Sequence, residues 1–251
     1  MPKQVADLFE EELRRREIAF QRDPISGRYS IQIFGRTLRI SLDNLERGYR
    51  DDGDAGQIIT FVDAVLSTPA QQKSWPDCRD SVYFALESEL AEAGLYRDLL
   101  TDRLNRVLVS FNTDKNLLSY VFRSSLTAWN TPFTDIAAAA SANLGRALRA
   151  STLNIHESHG VRIGFLDAPI PFKSALILAP NLREIVSPQL GWPLLAVVPD
   201  RDFLLLWNAS HLDLVRYLGG TVIKEFETAP YPLTTEVLQI NDGGIMAVGA
   251  F

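Results

Sequence analysis

Two uninterrupted apolar runs, separated by a short polar segment, constrain the fold of this chain more than any other feature. The runs are residues 192–198 and 203–207, and the segment between them is Pro199, Asp200, Arg201 and Asp202. A strand with one face in water alternates apolar and polar residues, whereas an uninterrupted apolar strand is covered on both faces. Pro and Asp favour turns for backbone reasons. The sequence therefore predicts a buried hairpin of two central strands.

The remaining elements follow from hydrophobic periodicity and turn chemistry. Further hairpins are predicted for residues 29–33 with 37–42, 106–111 with 117–121, and 236–240 with 245–248. A strand is predicted at 161–166, and helices at 3–20, 57–66, 131–149 and from Ser210 to about 227. This order indicates an α+β fold, a largely antiparallel sheet built from hairpins with helices packed on it.

The length of the chain fits one large domain or two small ones. A chain of 251 residues is long enough to bury a substantial core. We expect a single domain over residues 1–251. Its possible subdivision separates a helix–hairpin–helix part at 1–95 from a sheet part at 96–251.

Composition limits the classes of partner and the cellular location. The net charge of −6 offers no general attraction to phosphate backbones, so nucleic-acid binding is not expected. The run Arg14-Arg15-Arg16 is surrounded by glutamates and is interpreted as the solvated face of a charged helix. One cysteine, Cys78, excludes an intrachain disulfide. Without a signal peptide or an apolar run long enough for a membrane helix, the sequence predicts a cytoplasmic protein.

Motifs that carry catalysis or bind metals and cofactors are not recognised. The segment His156-Glu157-Ser158-His159 has two nearby histidines but no third ligand, so a polar connecting loop is favoured over a metal site. His211 follows a predicted helix cap, and Cys78 has no local base. Gly-x-Ser-x-Gly and phosphate-binding loops are absent. The sequence therefore predicts no catalytic residue, no metal and no cofactor.

Four residues are the candidates for contact with a ligand or partner. Asp200, Arg201 and Asp202 place three charges between apolar strands, at the rim of a sheet. Turn chemistry alone explains such residues and is favoured over ligand contact, because Asp202 can cap local N–H groups and Arg201 can pair with either neighbour. Trp129 lies between a predicted strand end and the helix that opens at Thr131-Pro132, and it is interpreted as a packing anchor more than as a binding platform.

The order of several features resembles a known family. These features are Trp129 before the helix, Ile136-Ala137 and Asn143-Leu144 along it, the Pro199–Asp202 turn, and Tyr231-Pro232-Leu233-Thr234. Over residues 105–251 their order is similar to that of the YtpQ-like family of uncharacterised bacterial proteins, a domain of unknown function. The resemblance implies a cytoplasmic bacterial protein folded in one piece. It transfers no catalytic residue.

Three functional hypotheses remain. The first is a non-catalytic protein-binding or regulatory module, because no catalytic constellation is found and the amphipathic N-terminal helix is expected to be exposed. The alternative is an enzyme or small-ligand binder with a site at the rim of the C-terminal sheet, at Asp200, Arg201 and Asp202 under Trp129. The third is self-assembly through the N-terminal helix.

Overall fold

The computed structural model describes residues 4–24, 27–33, 36–42, 45–46, 49, 53–66, 74–88, 95–112 and 117–251. Two compact units are present: one is Met1–Gln72 with Asn112–Leu117, and the other is Lys73–Phe111 with Leu118–Phe251. This division follows Gln72, whereas the subdivision expected from the sequence lies at residue 95. The assignment of one domain to residues 1–251 stays a prediction.

The described chain contains both helices and antiparallel strands. The α-helices are α1 (Val5–Arg15), α2 (Gly56–Leu66), α3 (Trp75–Cys78), α4 (Arg123–Trp129), α5 (Phe133–Arg149), α6 (Leu182–Leu190) and α7 (Val215–Thr228). Two 3₁₀ helices span Lys173–Leu178 and Ala209–Leu214. The strands are β1 (Phe20–Arg22), β2 (Tyr29–Ile33), β3 (Arg36–Ile40), β4 (Val82–Glu87), β5 (Arg97–Leu99), β6 (Asn105–Asn112), β7 (Leu117–Tyr120), β8 (Thr152–Ser158), β9 (Val161–Asp167), β10 (Leu194–Val197), β11 (Leu205–Asn208), β12 (Glu236–Asn241) and β13 (Gly244–Ala250). The predicted α+β class is confirmed.

The first unit packs two helices on a small sheet. Strands β1, β2 and β3 are antiparallel neighbours in that order. Helix α1 buries Phe9 and Leu13, and α2 adds Val62 to the same core. The expectation that the N-terminal helix exposes its apolar face is wrong, because that face forms the core of this unit. Strand β1 was not predicted, and Phe34 and Gly35, between the two strands of the predicted hairpin, and Asp43, which follows that hairpin, lie outside the described residues.

The three consecutive arginines of this unit are all in ion pairs. Arg14 lies 2.5 Å from Glu10, and Arg15 and Arg16 each lie 2.6 Å from Glu12. Arg16 also reaches Asp63 of α2 at 2.5 Å. These pairs agree with the predicted charged helix face. Each of the three arginines is paired with a carboxylate of the same chain.

Glu12 makes the first unit sensitive to acid. Hydrogen bonds from Arg15 are the main reason that the pKa of Glu12 is lowered to about 2, with Arg16 adding to the effect against the opposing effect of burial. Because the folded-state pKa is depressed, this stabilisation is present above the ordinary glutamate pKa and is lost as pH falls from about 4.5 towards 2. An NMR titration of the Glu12 carboxyl carbon should give a pKa near 2.

The matched variant for this titration is Glu12→Gln. We expect the variant to be less stable than the wild type at neutral pH and equally stable at the lowest pH, as measured by amide hydrogen exchange in α1. A Glu12 carboxyl that titrates at its ordinary pKa would contradict the prediction.

The second unit is built around a six-stranded antiparallel sheet. Its strand order is β13-β12-β10-β11-β9-β8, and Leu195 of β10 lies opposite Trp207 of β11. The prediction that these two apolar runs form central strands is confirmed. On one face the sheet shares a core with α5, α6, the first 3₁₀ helix, and β4 and β6 of a second, four-stranded sheet. On the other face it packs against α7 through Leu218 and Val222.

Some predicted boundaries of this unit shift in the structure. Helix α5 ends at Arg149 as expected, but Pro132 and not Thr131 occupies its N-cap position. The predicted capping role of Ser210 is wrong: a 3₁₀ helix occupies this position, and the Asn208 side chain accepts from the Ser210 backbone N–H at 2.9 Å. Helix α7 continues through Gly219 and its neighbour without interruption. None of the helices in the described ranges has the length and hydrophobicity needed to cross a membrane.

Candidate functional site

The connection between β10 and β11 contains three of the four site candidates. Strand β10 ends at Val197 and β11 begins at Leu205, so this connection covers residues 198–204 and is longer than the predicted turn. Only 7% of Asp200 and 5% of Arg201 is exposed, while Asp202 is half-buried. Charged residues are rarely this buried unless they are paired. The connection is therefore part of the interior.

Asp200 holds the connection against a distant segment of the chain. One carboxylate oxygen accepts from the Asp202 backbone N–H at 2.7 Å, and the other accepts from the Tyr231 N–H at 3.3 Å. The backbone N–H of Arg201 donates to the Tyr231 carbonyl at 3.2 Å, and Leu233 N–H donates to the Pro199 carbonyl at 2.9 Å. Local capping was expected from Asp202, but Asp200 performs it.

Arg201 pairs with Glu87 at the end of β4, a partner that the sequence did not suggest. Its Nη2 lies 3.4 Å from Glu87 Oε1, and both side chains are buried. The guanidinium carbon lies 3.6 Å from the centroid of the Tyr231 ring, in cation–π geometry. The arginine thus joins β4, the 198–204 connection and the segment that follows α7.

Tyr120 completes this group, which we name the Arg201 cluster: Arg201, Glu87, Tyr120 and Tyr231. The Tyr120 hydroxyl donates to Glu87 Oε1 at 2.7 Å. Burial, followed by the charge of Glu87, raises the pKa of Tyr120 well above its usual range. The hydroxyl is therefore held protonated, as a hydrogen-bond donor to the carboxylate.

The chemistry of the Arg201 cluster is that of a buried ion pair. Arg201 Nε is buried and has no hydrogen-bond partner among the described residues. The cluster includes the Tyr120 hydroxyl beside the Glu87 carboxylate, and this hydroxyl stays protonated because its pKa is raised. Its contacts join segments that are far apart in sequence, and we interpret it as a structural element of the second unit.

Trp129 has a different neighbour. It is the last residue of α4, a helix where the sequence suggested a strand end, and its ring centroid lies 5.3 Å from that of Trp75. The Trp129 ring also packs against the main core of the second unit. Asp200 and Arg201 instead contact Tyr231, and Arg201 also contacts Glu87.

The three histidines have separate environments. His156 lies in β8, which corrects the loop predicted there, and its ring meets Phe165 edge-on at 5.5 Å. His159 lies in the turn after β8 and stacks on Tyr217 at 4.1 Å. The carbonyl of His211 accepts a hydrogen bond from Trp207 Nε1 at 3.1 Å. Within the part of the chain that the structure describes, no three His, Cys, Asp or Glu side chains are arranged to hold a metal ion.

An open cleft lies beside α7 on the outer part of the six-stranded sheet. Its volume is about 430 Å³. Its floor and walls come from β8, β9, β11 and α7, and its lining residues are His156, Ser158, Ile163, Phe165, Leu205, Leu218 and Thr221. The floor is apolar, whereas an imidazole and two hydroxyls stand at the rim. We name it the α7 cleft.

The α7 cleft was not predicted because β8 was not recognised as a strand. Residues 152–158 alternate between polar and apolar, with Leu153 and Ile155 between polar neighbours, which is the signal of a half-buried strand. That alternation puts His156 and Ser158 on the opposite face from Ile155. The segment with the two histidines was instead interpreted as a polar connecting loop.

Comparisons with protein-family models, with curated proteins and with solved structures give no match.

Proposed function

We propose that this protein is a non-catalytic protein-binding module and that its α7 cleft receives an amphipathic helix of a partner protein. One observation carries the proposal. Helix α7 contributes Leu218 and Thr221 to the cleft, where His156 of β8 is exposed and Phe165 of β9 is half-buried. The apolar floor formed by Ile163, Phe165 and Leu205 thus borders an open cleft.

The width of the strands that line the α7 cleft favours a helix as the occupant. Neighbouring strands are about 4.8 Å apart, and a helix with its side chains is about 10–12 Å wide. One helix therefore covers about two strands, which is the width of β8 and β9 together. A partner helix lying beside α7 would bury its apolar stripe on the floor of the cleft, in the helix-in-groove mode of recognition.

The rim of the cleft supplies the polar contacts. His156, Ser158 and Thr221 surround the apolar floor, and each carries a side chain that forms hydrogen bonds. Interfaces of this kind combine an apolar centre with a polar rim. We expect the partner helix to carry large apolar residues at positions i, i+3, i+4 and i+7, flanked by polar residues.

The proposal is tested by selecting binders from a displayed library of helix-forming peptides. The target is the wild-type chain, and Thr221→Trp is the variant that fills the cleft from α7. Thr228→Trp is the matched control, because Thr228 is an exposed threonine of the same helix that does not line the cleft. Selected peptides should show the i, i+3, i+4, i+7 apolar pattern and lose at least about tenfold in affinity for Thr221→Trp.

Mapping of the binding surface completes the test. In NMR spectra the selected peptide should shift the amide signals of β8, β9 and α7, and Thr228→Trp should bind it as the wild type does. Peptides that bind Thr221→Trp with unchanged affinity would overturn the proposal. Shifts of the same signals by small apolar compounds, with no peptide selected, would replace it with small-ligand binding.

The family assignment is a separate proposal. We propose membership of the YtpQ-like family on the order of features from Trp129 to Thr234, and a place in the bacterial cytoplasm follows from that membership. The alternative, a small-ligand site at the sheet rim, receives less support. Asp200 and Arg201 already contact Tyr231 and Glu87 within the fold.

A further inference from the structure

The six-stranded sheet ends in a strand whose outer edge is exposed. Strand β13 pairs with β12 on one side, and no described strand pairs with it on the other side. All of its residues except the half-buried Ile245 are exposed, with 54% of Met246 and 43% of Val248 accessible. A strand edge presents unpaired N–H and C=O groups that serve as a template for another strand.

The two edges of this sheet differ in the devices that prevent strand pairing. The edge strand β8 carries His156 and Glu157, and proteins commonly protect edges with such charged and polar residues. Strand β13 has the sequence Gly-Ile-Met-Ala-Val-Gly-Ala, with neither a charge nor a proline. The edge at β13 therefore lacks protection by charged residues or proline.

We propose that β13 pairs with β13 of a second copy of this chain, in antiparallel orientation about a two-fold axis. The two six-stranded sheets then form one continuous sheet of twelve strands. The absence of charge argues for a second copy, because two-fold pairing places two identical strands side by side and would bring like charges together if the strand were charged. In a chain of net charge −6, this neutral strand is suited to self-association.

An irregularity in β13 restricts the position of the axis. The register of β12 with β13 shifts between Val237 and Leu238, which leaves Val248 as an extra residue in β13. Such a bulge bends and twists the strand locally. We therefore place the two-fold axis near Met246, so that regular pairing uses the part of β13 between the hairpin turn and the bulge.

The oligomeric state tests this inference on the full chain. Light scattering coupled to size-exclusion chromatography should give twice the chain mass of 28.0 kDa, and dilution should return the mass to 28.0 kDa. Met246→Lys should remain monomeric at every concentration, because a symmetric pair would oppose two lysines. Leu212→Lys is the control, since Leu212 is 58% exposed but lies on a 3₁₀ helix, and this variant should remain dimeric.

A cysteine variant keeps the test valid if Met246→Lys does not fold. With the axis near Met246, Met246→Cys brings two thiols close enough for an intermolecular disulfide under mild oxidation. The native Cys78 is buried and does not compete. Leu212→Cys should not cross-link. A wild type that is monomeric at all concentrations, or equal cross-linking of the two cysteine variants, would overturn the proposal.

Discussion

Replacing Arg201 with Met is expected to lower the free energy of unfolding of the second unit by about 3–5 kcal/mol. The substitution leaves Glu87, which is 8% exposed, without the guanidinium 3.4 Å away. A carboxylate left buried without its cation is strongly destabilising, although the Tyr120 hydroxyl still donates to it. Met fills much of the same volume, so the loss measures charge more than packing.

Tryptophan fluorescence during urea unfolding measures this loss in the second unit alone. The four tryptophans, Trp75, Trp129, Trp192 and Trp207, all belong to that unit. The double variant Arg201→Met with Glu87→Gln should recover about 2 kcal/mol, because a neutral amide oxygen accepts from Tyr120 without an uncompensated charge.

Arg183→Met is the matched control for this measurement. Arg183 pairs with Asp242 at 2.8 Å, but 59% and 70% of the two side chains are exposed. An exposed ion pair contributes at most about 1 kcal/mol. If Arg201→Met costs no more than Arg183→Met, the Arg201 cluster is not structural, and a site for ligands at this rim becomes the better interpretation.

The sequence predicts β10 to β13 of the second unit well because the signals of these strands are local. The runs that became β10 and β11 lack alternation, and the segment Asn241-Asp242-Gly243-Gly244 favours a short hairpin. Gly244 has a φ of +121°, which glycine adopts without strain. Strand identity and hairpin pairing depend on neighbours in the chain, so they can be inferred without the fold.

The burial of Asp200 and Arg201 could not be inferred from the residues that surround them in the sequence. Their residue types suit a solvated turn and a buried one equally, since turn preferences concern only the backbone. Two distant parts of the chain make the turn a buried one. Tyr231, more than twenty-five residues further on, contacts Asp200 and Arg201. Glu87, more than a hundred residues earlier, pairs with Arg201. Tertiary contacts of this range leave no pattern in a single sequence.

The same limit explains the misassigned N-terminal helix. The apolar stripe of α1 is visible in the sequence, but an amphipathic helix buries its stripe against its own fold or against a partner. Helix α2 and the small sheet provide the surface that covers Phe9 and Leu13. The candidate interaction surfaces were instead found at elements with weak sequence signals, the strand β8 and the edge of β13.

Replacing Trp207 with Ala is expected to cost about 3–5 kcal/mol of the stability of the second unit, the usual range for a large aromatic residue removed from a core. Trp207 is fully buried between β11 and α7, in the core that underlies the α7 cleft. The remaining tryptophans report the urea transition. Trp207→Phe keeps the aromatic packing but leaves the His211 carbonyl without the N–H 3.1 Å away, so we expect a smaller loss of about 1–3 kcal/mol.

Trp207→Phe and Phe165→Ala together separate the stability of the sheet from the binding surface of the α7 cleft. Trp207 does not line the cleft, so Trp207→Phe should bind a selected helical peptide with the wild-type affinity. Phe165 lines the cleft and is half-buried, and Phe165→Ala should weaken peptide binding by more than about tenfold. Equal binding by both variants would show that the peptide contacts another surface. Equal weakening would show that binding follows the stability of the sheet and not the shape of the cleft.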